Sequence, residues 1–240
     1  MSDKPDKIRA TKQKRRAQKC RVFELKLDLS RLSNEQQTYL DRVFLEAKWF
    51  YNFLLAQDDS FDTLLRKVVK VDIKVVDEFQ ERDLLYLSSQ MKMGLQERIS
   101  NAVKALHILK EKGYDVGRVK FTSFINTIDL PQYNNTWKFA SRYRIKLQGC
   151  KQSFRVHGTK QFRQLERKLK DKNVNTTIDF ANARLIRRDS GYYIHTTTYT
   201  SHIFARSANR TVGLDFGIKT TVTTSDAETF NVRIPESKKL

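Results

Sequence analysis

Apolar residues recur at two different spacings along this chain, and the change of spacing divides it into regions. Between residues 33 and 112 they recur every three or four positions, which is typical of amphipathic helices. Before residue 30 and after residue 117 they alternate with polar residues, which is typical of strands with one buried face. The sequence therefore predicts an α+β protein in which helices interrupt a β-region.

Two long helices are predicted in the interrupting segment. Ser33 followed by Gln36 is a capping-box pattern, so the first helix is expected to begin there. The second helix runs from Ser89, and Gly113 predicts its end because glycine readily takes the left-handed conformation of a C-terminal cap. Apolar residues at 61–69 predict a shorter helical piece between the two.

Strands on both sides of the helices favour a small β-barrel with a helical insertion. The predicted strands are 22–29, 127–131, 136–140, 142–148 and 152–157, followed by a basic helix at 159–171 and a hairpin of 177–188 with 191–199. The expected domains are a flexible basic arm at 1–20, the barrel at 21–32 and 114–208, the insertion at 33–113, and a separate segment at 209–240.

The net charge points to a polyanionic partner. Lys and Arg number 46 against 27 Asp and Glu, which gives a formal charge of +19. Nucleic acid is the commonest partner of such a chain, and a surface made basic only for solubility is the alternative. No apolar run approaches the ~20 residues of a membrane-spanning helix, and the N-terminal residues lack the apolar stretch of a secretory signal. With only Cys20 and Cys150, the composition fits a reducing cytoplasm.

One basic stretch has the alternation of a strand. Arg142, Arg144 and Lys146 are expected on one face, opposite Tyr143, Ile145 and Leu147. Arg155 alternates in the same way with Phe154 and Val156. Such a sheet would suit contact with a phosphate backbone, although solvated outer faces show the same pattern.

A single carboxylate interrupts the apolar strand predicted near residue 215. Asp215 lies between Gly213 and Gly217, and a further strand pair with a turn at Asp226-Ala227 is predicted after it. This is typical of the first strands of a ribonuclease-H-like sheet, where an Asp binds Mg²⁺ through carboxylate oxygen. An Asp beside Gly in a strand is also commonly a turn or hydrogen-bonding residue.

Taken in order, several motifs resemble the TnpB (OrfB) family of transposon-encoded, RNA-guided DNA endonucleases, which are related to type V CRISPR effectors. The matching stretches are WFYNFLL at 49–55, LSSQ at 87–90, GRVKF at 117–121, IKL at 145–147, GYY at 191–193 and VGLDFGIK at 212–219. The family has Pro where Arg118 stands. The resemblance covers roughly residues 20–235.

The resemblance implies an oligonucleotide-binding-like wedge barrel with a helical recognition insertion, followed by the first strands of a RuvC-like nuclease domain. It implies guide RNA and target DNA as partners, Mg²⁺ as cofactor, and a bacterial or archaeal cytoplasm, close to the nucleoid. Asp215 would be the catalytic residue and metal ligand. The expected nucleic-acid contacts are Lys48, Asn52, Lys120, Arg142, Arg144, Lys146 and Arg155. For Asn52, an amide that satisfies the core or a helix cap is an equal alternative, whereas Trp49, Phe50 and Trp137 are expected in the core.

The departures from the family concern catalysis. A RuvC-like site gathers several carboxylates around two Mg²⁺ ions, and only Asp215 stands at a matching position before the chain stops at Leu240. Asp226, Glu228 and Glu236 fit strand and turn positions, and no zinc site is expected in this chain. We therefore expect a truncated protein that does not cleave DNA alone. The alternatives are a non-catalytic, RNA-guided DNA-binding regulator and a stand-alone basic RNA-binding protein; the oligomeric state stays open.

Overall fold

The computed structural model describes residues 4–57, 67–171, 177–201, 214–215, 222–225 and 228–230. They belong to two compact units, residues 1–202 and 203–240. The helices are α1 (Lys4–Arg16), α2 (Asn34–Ala56), α3 (Ser89–Glu111) and α4 (Lys160–Lys170), with one 3₁₀ turn at Leu29–Arg31. The strands of the first unit are β1 (Gln18–Leu27), β2 (Lys70–Val75), β3 (Glu78–Asp83), β4 (Thr127–Leu130), β5 (Trp137–Ser141), β6 (Arg144–Leu147), β7 (Ser153–His157), β8 (Asp179–Arg188) and β9 (Gly191–Ser201).

A curled, antiparallel seven-stranded sheet forms the centre of the first unit. Its strand order is β4-β8-β9-β1-β7-β6-β5, and the curl makes it a half-barrel. The indole N–H of Trp137, on the edge strand β5, donates to the carbonyl of Ala181 on β8 at 3.2 Å. The two ends of the curled sheet are therefore close together, and the predicted α+β class is confirmed.

Aromatic side chains fill the concave side of this sheet. Phe162 of α4 lies 4.9 Å from the ring of Phe23 and 5.3 Å from that of Phe180, measured between centroids. Phe139 lies 5.1 Å from Phe180. Because these rings come from α4 and from strands at opposite ends of the sheet, their packing holds the curl closed. Trp137 is buried in the same cluster, as predicted.

Helix α2 packs on the sheet with the stripe that the spacing predicted. The Ser33 side chain accepts from the backbone N–H of Gln36, and the Gln36 side chain accepts from the N–H of Ser33, so the predicted capping box is present. The ring of Tyr39 packs on Phe154, and its hydroxyl donates to the carbonyl of Gln148 at 3.0 Å. The buried residues of α2, α3 and the sheet form one cluster, so the helices share their core with the sheet.

Helix α3 ends where glycine was expected to end it. Gly113 has a φ of +84°, and its N–H donates to the carbonyl of Lys110. The N–H of Tyr114 donates to the carbonyl of Leu109 at 3.2 Å. This pair of bonds is a Schellman cap, which requires the left-handed backbone that glycine takes without strain.

The N-terminal residues differ from the predicted flexible arm. Residues Lys4–Arg16 form α1, whose Arg15 guanidinium lies 4.8 Å above the ring of Tyr199, while Lys14 lies 3.6 Å from Asp179. The segment is rich in Lys, Arg, Gln and Ala, which favour helix, but it has no apolar stripe to signal one.

The predicted helical insertion also contains a hairpin. Strands β2 and β3 pair antiparallel from Lys70 with Asp83 to Val75 with Glu78. Residues 67–69 are not α-helical, and the rest of the predicted short helix, 61–66, lies outside the described residues. Val71 of this hairpin is buried and belongs to the core cluster.

None of the described helices is both long and apolar enough to cross a membrane.

The described residues of the second unit form a small antiparallel sheet. Its strands are β10 (Leu214–Asp215), β11 (Val222–Thr224) and β12 (Thr229–Phe230), in that order. Asp215 pairs with Thr223, and Thr223 pairs with Thr229. The predicted turn at Asp226-Ala227 lies outside the described residues.

Candidate nucleic-acid interface

The convex side of the half-barrel carries a continuous set of basic side chains. On β1, β5, β6 and β7 the apolar residues point into the core and their neighbours point outward, because successive side chains of a strand alternate. Ile145, Leu147 and Phe154 are fully buried. We call the outward basic set the cationic face: Lys26, Lys138, Arg144, Lys146, Arg155 and His157.

The strand register places members of the cationic face directly opposite one another. Register partners in an antiparallel pair have Cβ atoms about 4.5–5.5 Å apart, and like charges there destabilise the sheet. The like-charged register pairs are Lys138 with Lys146 and Arg144 with Arg155, and Lys26 lies opposite His157. The free protein therefore carries a repulsion that a polyanion on this face would relieve.

The central cations of the face are fixed by neutral groups. The Arg144 guanidinium donates to the Ser153 hydroxyl at 2.8 Å and to the Ser153 carbonyl at 2.6 Å. The Lys146 ammonium donates to the carbonyl of Lys151. Within the described ranges no carboxylate lies within ion-pair distance of Arg144 or Lys146. Their charges are thus oriented and are not neutralised by these residues.

Asp28 and Glu24 are described carboxylates that border the face; Glu24, on β1, pairs with Arg188 and His195. Asp28 lies 3.6 Å from both Arg155 and His157. A hydrogen bond from the Ser30 hydroxyl, helped by these two basic neighbours, lowers the pKa of Asp28 below its ordinary value. Asp28 therefore stays ionised and balances part of the charge at this edge.

The rim beside α4 is concave. A cavity of about 440 Å³ lies between Tyr143 and the start of α4, lined also by Arg155, His157 and Lys160. The Arg163 guanidinium donates to the Tyr143 hydroxyl at 2.7 Å, and Arg142 lies 5.5 Å from the Tyr143 ring. Tyr143 was expected on the buried face of the strand, and this is wrong: Arg142 and Tyr143 form the turn before β6, and Tyr143 is 44% exposed.

Lys48, Asn52 and Lys120 lie on a different surface, formed by α2 and the segment that leads into β4. The Asn52 amide donates to the carbonyl of Thr122 and accepts from its N–H, both at 2.9 Å. Both polar groups of the Asn52 side chain are therefore bonded to backbone. This is the arrangement expected if Asn52 satisfies buried backbone groups instead of contacting a nucleotide. Lys48 is half-buried beside Phe124 and Arg187, and Lys120 is exposed.

Asp215 does not lie in a described cluster of metal ligands. It is exposed, and its neighbours in register across the small sheet are Thr223 and Thr229. Among the residues that the structure describes, no three His, Cys, Asp or Glu side chains gather in one place. The described residues therefore do not fit a two-ion magnesium site, and no cleavage step follows from them.

The structure brings three of the predicted contacts, Arg144, Lys146 and Arg155, to one side of the sheet, and it places Arg142 in the turn before β6. Sequence reasoning missed Lys26, Lys138 and His157 on the same side. Lys26 alternates with Leu25 and Leu27, and Lys138 with Trp137 and Phe139, so the period of two was the signal. The sequence pattern does not predict the strand order that makes these residues neighbours.

Two histidines outside the cationic face differ in their surroundings. The side chain of His107 on α3 is 71% exposed and lies 3.3 Å from Glu111. His195, by contrast, lies on β9 and shares Glu24 with Arg188, at 2.7 and 2.8 Å.

Comparison of the sequence with known protein families and with curated proteins gave no significant match. The functional reading therefore depends on the chemistry of these two basic surfaces and on the order of the sequence motifs.

Proposed function

We propose that this chain is a TnpB-like nucleic-acid-binding protein that holds a guide RNA and its duplex with target DNA. In such a complex the protein contacts the sugar–phosphate backbone, while base pairing with the guide selects the sequence. The cationic face would contact the phosphates. The cavity beside α4 and the Tyr143 rim would form the edge of this contact.

The observation that carries the proposal is the register of like charges. A sheet that places Lys138 opposite Lys146 and Arg144 opposite Arg155 loses stability in the free protein. A surface made basic for solubility has no need of this arrangement, since mixed charges would serve it without the repulsion. A row of phosphates would remove the repulsion and release counterions at the same time.

Other features support the family part of the proposal. The curled seven-stranded sheet is compatible with a wedge-like oligonucleotide-binding barrel, and α2 and α3 come between β1 and β4 along the chain, as a recognition insertion would. Asp215 on β10, in a small antiparallel sheet, suits the start of a RuvC-like domain. These features, with the ordered motifs, favour a TnpB-like chain over an unrelated basic barrel.

For the described part of this chain we propose binding and not cleavage. Cleavage would require carboxylates other than those that the structure describes. By the resemblance, Asp215 would be a Mg²⁺ ligand in such a domain, but the described residues around it do not complete a two-ion site. A regulator that binds RNA-paired DNA without cutting it has the same interface and is the second candidate. Either protein would act in the cytoplasm, at the nucleoid.

Salt-dependent RNA binding tests the proposal. We expect the purified chain to bind a 20-base-pair RNA hairpin with an affinity that falls steeply between 50 and 200 mM KCl, since each phosphate contact contributes about 0.9 to the logarithmic slope. The double variant Arg144→Ala/Arg155→Ala should weaken binding and reduce the slope by about 2.

The matched control removes two positive charges elsewhere. Lys74→Ala/Lys104→Ala changes β2 and α3, outside the cationic face, and both lysines are exposed or largely exposed. This control should keep the wild-type slope. Equal loss in both double variants would mean that net charge alone attracts RNA, and the proposed interface would be wrong.

A further inference from the structure

Two phenylalanine rings stand in solvent on the segment between α3 and β4. Phe121 is 66% exposed and Phe124 is 58% exposed. Phenylalanine is among the residues most often buried, so two exposed rings three positions apart on one short segment call for a partner. Neither ring belongs to the core cluster or to an aromatic pair among the described residues.

The backbone beneath the two rings is tied to the body of the protein. Both backbone groups of Thr122 bond to the Asn52 amide, and the Thr122 hydroxyl donates to the carbonyl of Phe124 at 2.7 Å. Ile125 is buried, and the carbonyl of Asn126 accepts from the N–H of Arg187. The exposure of Phe121 and Phe124 is therefore a property of an anchored loop.

Cations surround these rings. Lys48 and Arg187 line a cavity of about 240 Å³ together with Phe124, and Lys120 is exposed next to Phe121. The acid at this cavity is Asp41, whose two carboxylate oxygens accept from the Gln37 amide at 3.0 and 3.1 Å. The net charge around the two rings is therefore positive. This favours a partner that carries phosphate over an uncharged, apolar partner.

We propose that Phe121 and Phe124 form a stacking site for unpaired bases of a single-stranded nucleic acid, with Lys48, Lys120 and Arg187 at its phosphates. The inference rests on the proposed function and adds a second binding mode. Protruding rings reach the faces of bases only where these are unstacked, whereas the cationic face has the chemistry of a backbone contact. Aromatic stacking with basic neighbours is how proteins hold single strands without reading sequence.

The test compares single strands with a duplex. Fluorescence anisotropy is measured with labelled rU12, dT12 and the 20-base-pair RNA hairpin, for wild type, Phe121→Ala, Phe124→Ala and the double variant. Each single substitution should weaken rU12 and dT12 binding about 5-fold or more, since stacking on one ring contributes about 1–3 kcal/mol. Duplex affinity should not change. The Trp substitutions should restore binding, because indole also stacks.

The control is Phe79→Ala, which removes an equally exposed ring from β3 and should leave all three affinities unchanged. If the substitutions weaken binding of rU12 alone, the site is supported and its ligand is RNA. If they weaken binding of dT12 alone, the site is supported and its ligand is DNA. If the variants bind single strands as wild type does, or lose duplex and single strands equally, the stacking site is refuted while the proposed function stands. If wild type binds none of the three probes, the proposed function itself has failed.

Discussion

Reversing one charge on the cationic face should make the free protein more stable and its complex weaker. Lys138 is exposed on β5, directly opposite Lys146 on β6. The Lys146 ammonium is held on this face by the carbonyl of Lys151. Lys138→Glu therefore replaces repulsion with attraction across one register position and leaves the core untouched.

The expected gain can be estimated from the register pair. An opposite-charge pair contributes about 0.2–1 kcal/mol, and a like-charge pair costs a similar amount. Because both side chains reach water, the lower part of this range applies, and the reversal should add about 0.5–1 kcal/mol. In a protein of this size that corresponds to a rise in Tm of about 1–4 °C. Lys138→Gln, which only removes the repulsion, should give about half the gain.

The assay is thermal unfolding at 50 and 500 mM KCl, with RNA hairpin affinity measured in parallel. The gain in Tm should shrink at 500 mM, where the Debye length falls to about 4 Å. Affinity for RNA should fall together with the salt slope, by about 1 for the lost phosphate contact.

The control Lys104→Glu changes the net charge by the same amount on α3. Its neighbours three and four positions away, Ser100, Asn101, His107 and Ile108, include no Lys, Arg, Asp or Glu, so a gain in Tm much smaller than that of Lys138→Glu is expected. The reasoning is refuted if Lys138→Glu is less stable than wild type at low salt, or if it binds RNA as well as Lys104→Glu does.

Three further substitutions test other contacts. Asn52→Ala should lower the free energy of unfolding by about 2 kcal/mol in urea titrations, because both backbone groups of Thr122 lose a partner; an unchanged midpoint would contradict this. Glu24→Gln should be less stable than wild type at pH 7, since the His195 hydrogen bond and Arg188 lower the pKa of Glu24. That stabilisation is complete above the ordinary carboxyl pKa and is lost as the pH falls through the lowered one, so a gap that persists in strong acid would be inconsistent with it. Asp215→Ala should leave RNA affinity unchanged in anisotropy titrations, because it removes only an exposed negative charge; a large loss would give Asp215 a structural role.

Patterns with one buried face were predictable from the sequence. Ile145 and Leu147 alternate with basic residues because each strand of the half-barrel buries one side, and the period of two records this. The start of α2 at Ser33 and the end of α3 at Gly113 were predictable because caps depend on local chemistry alone.

Features set by distant contacts were not predictable. Helix α1 has no apolar stripe, and its contacts with Tyr199 and Asp179 come from the far end of the chain. Lys26 faces His157 only because β1 pairs with β7, a choice made by the topology of the whole sheet. For the same reason the sequence identified Arg144 and Arg155 as candidates but not as neighbours.

Stability and binding oppose each other on the cationic face. The repulsion between Lys138 and Lys146 lowers the stability of the free protein, and a phosphate between them would return that free energy on binding. Part of the binding free energy therefore comes from relief of a repulsion that is present in the unbound sheet. It follows that the rise in Tm at one fixed excess of RNA should be larger for wild type than for Lys138→Glu, because relief of the repulsion is part of the wild-type affinity and the stabilisation by a ligand follows its affinity. Lys104→Glu leaves the register pair intact, so its rise in Tm should stay close to that of wild type, and an equal drop in both variants would refute the argument.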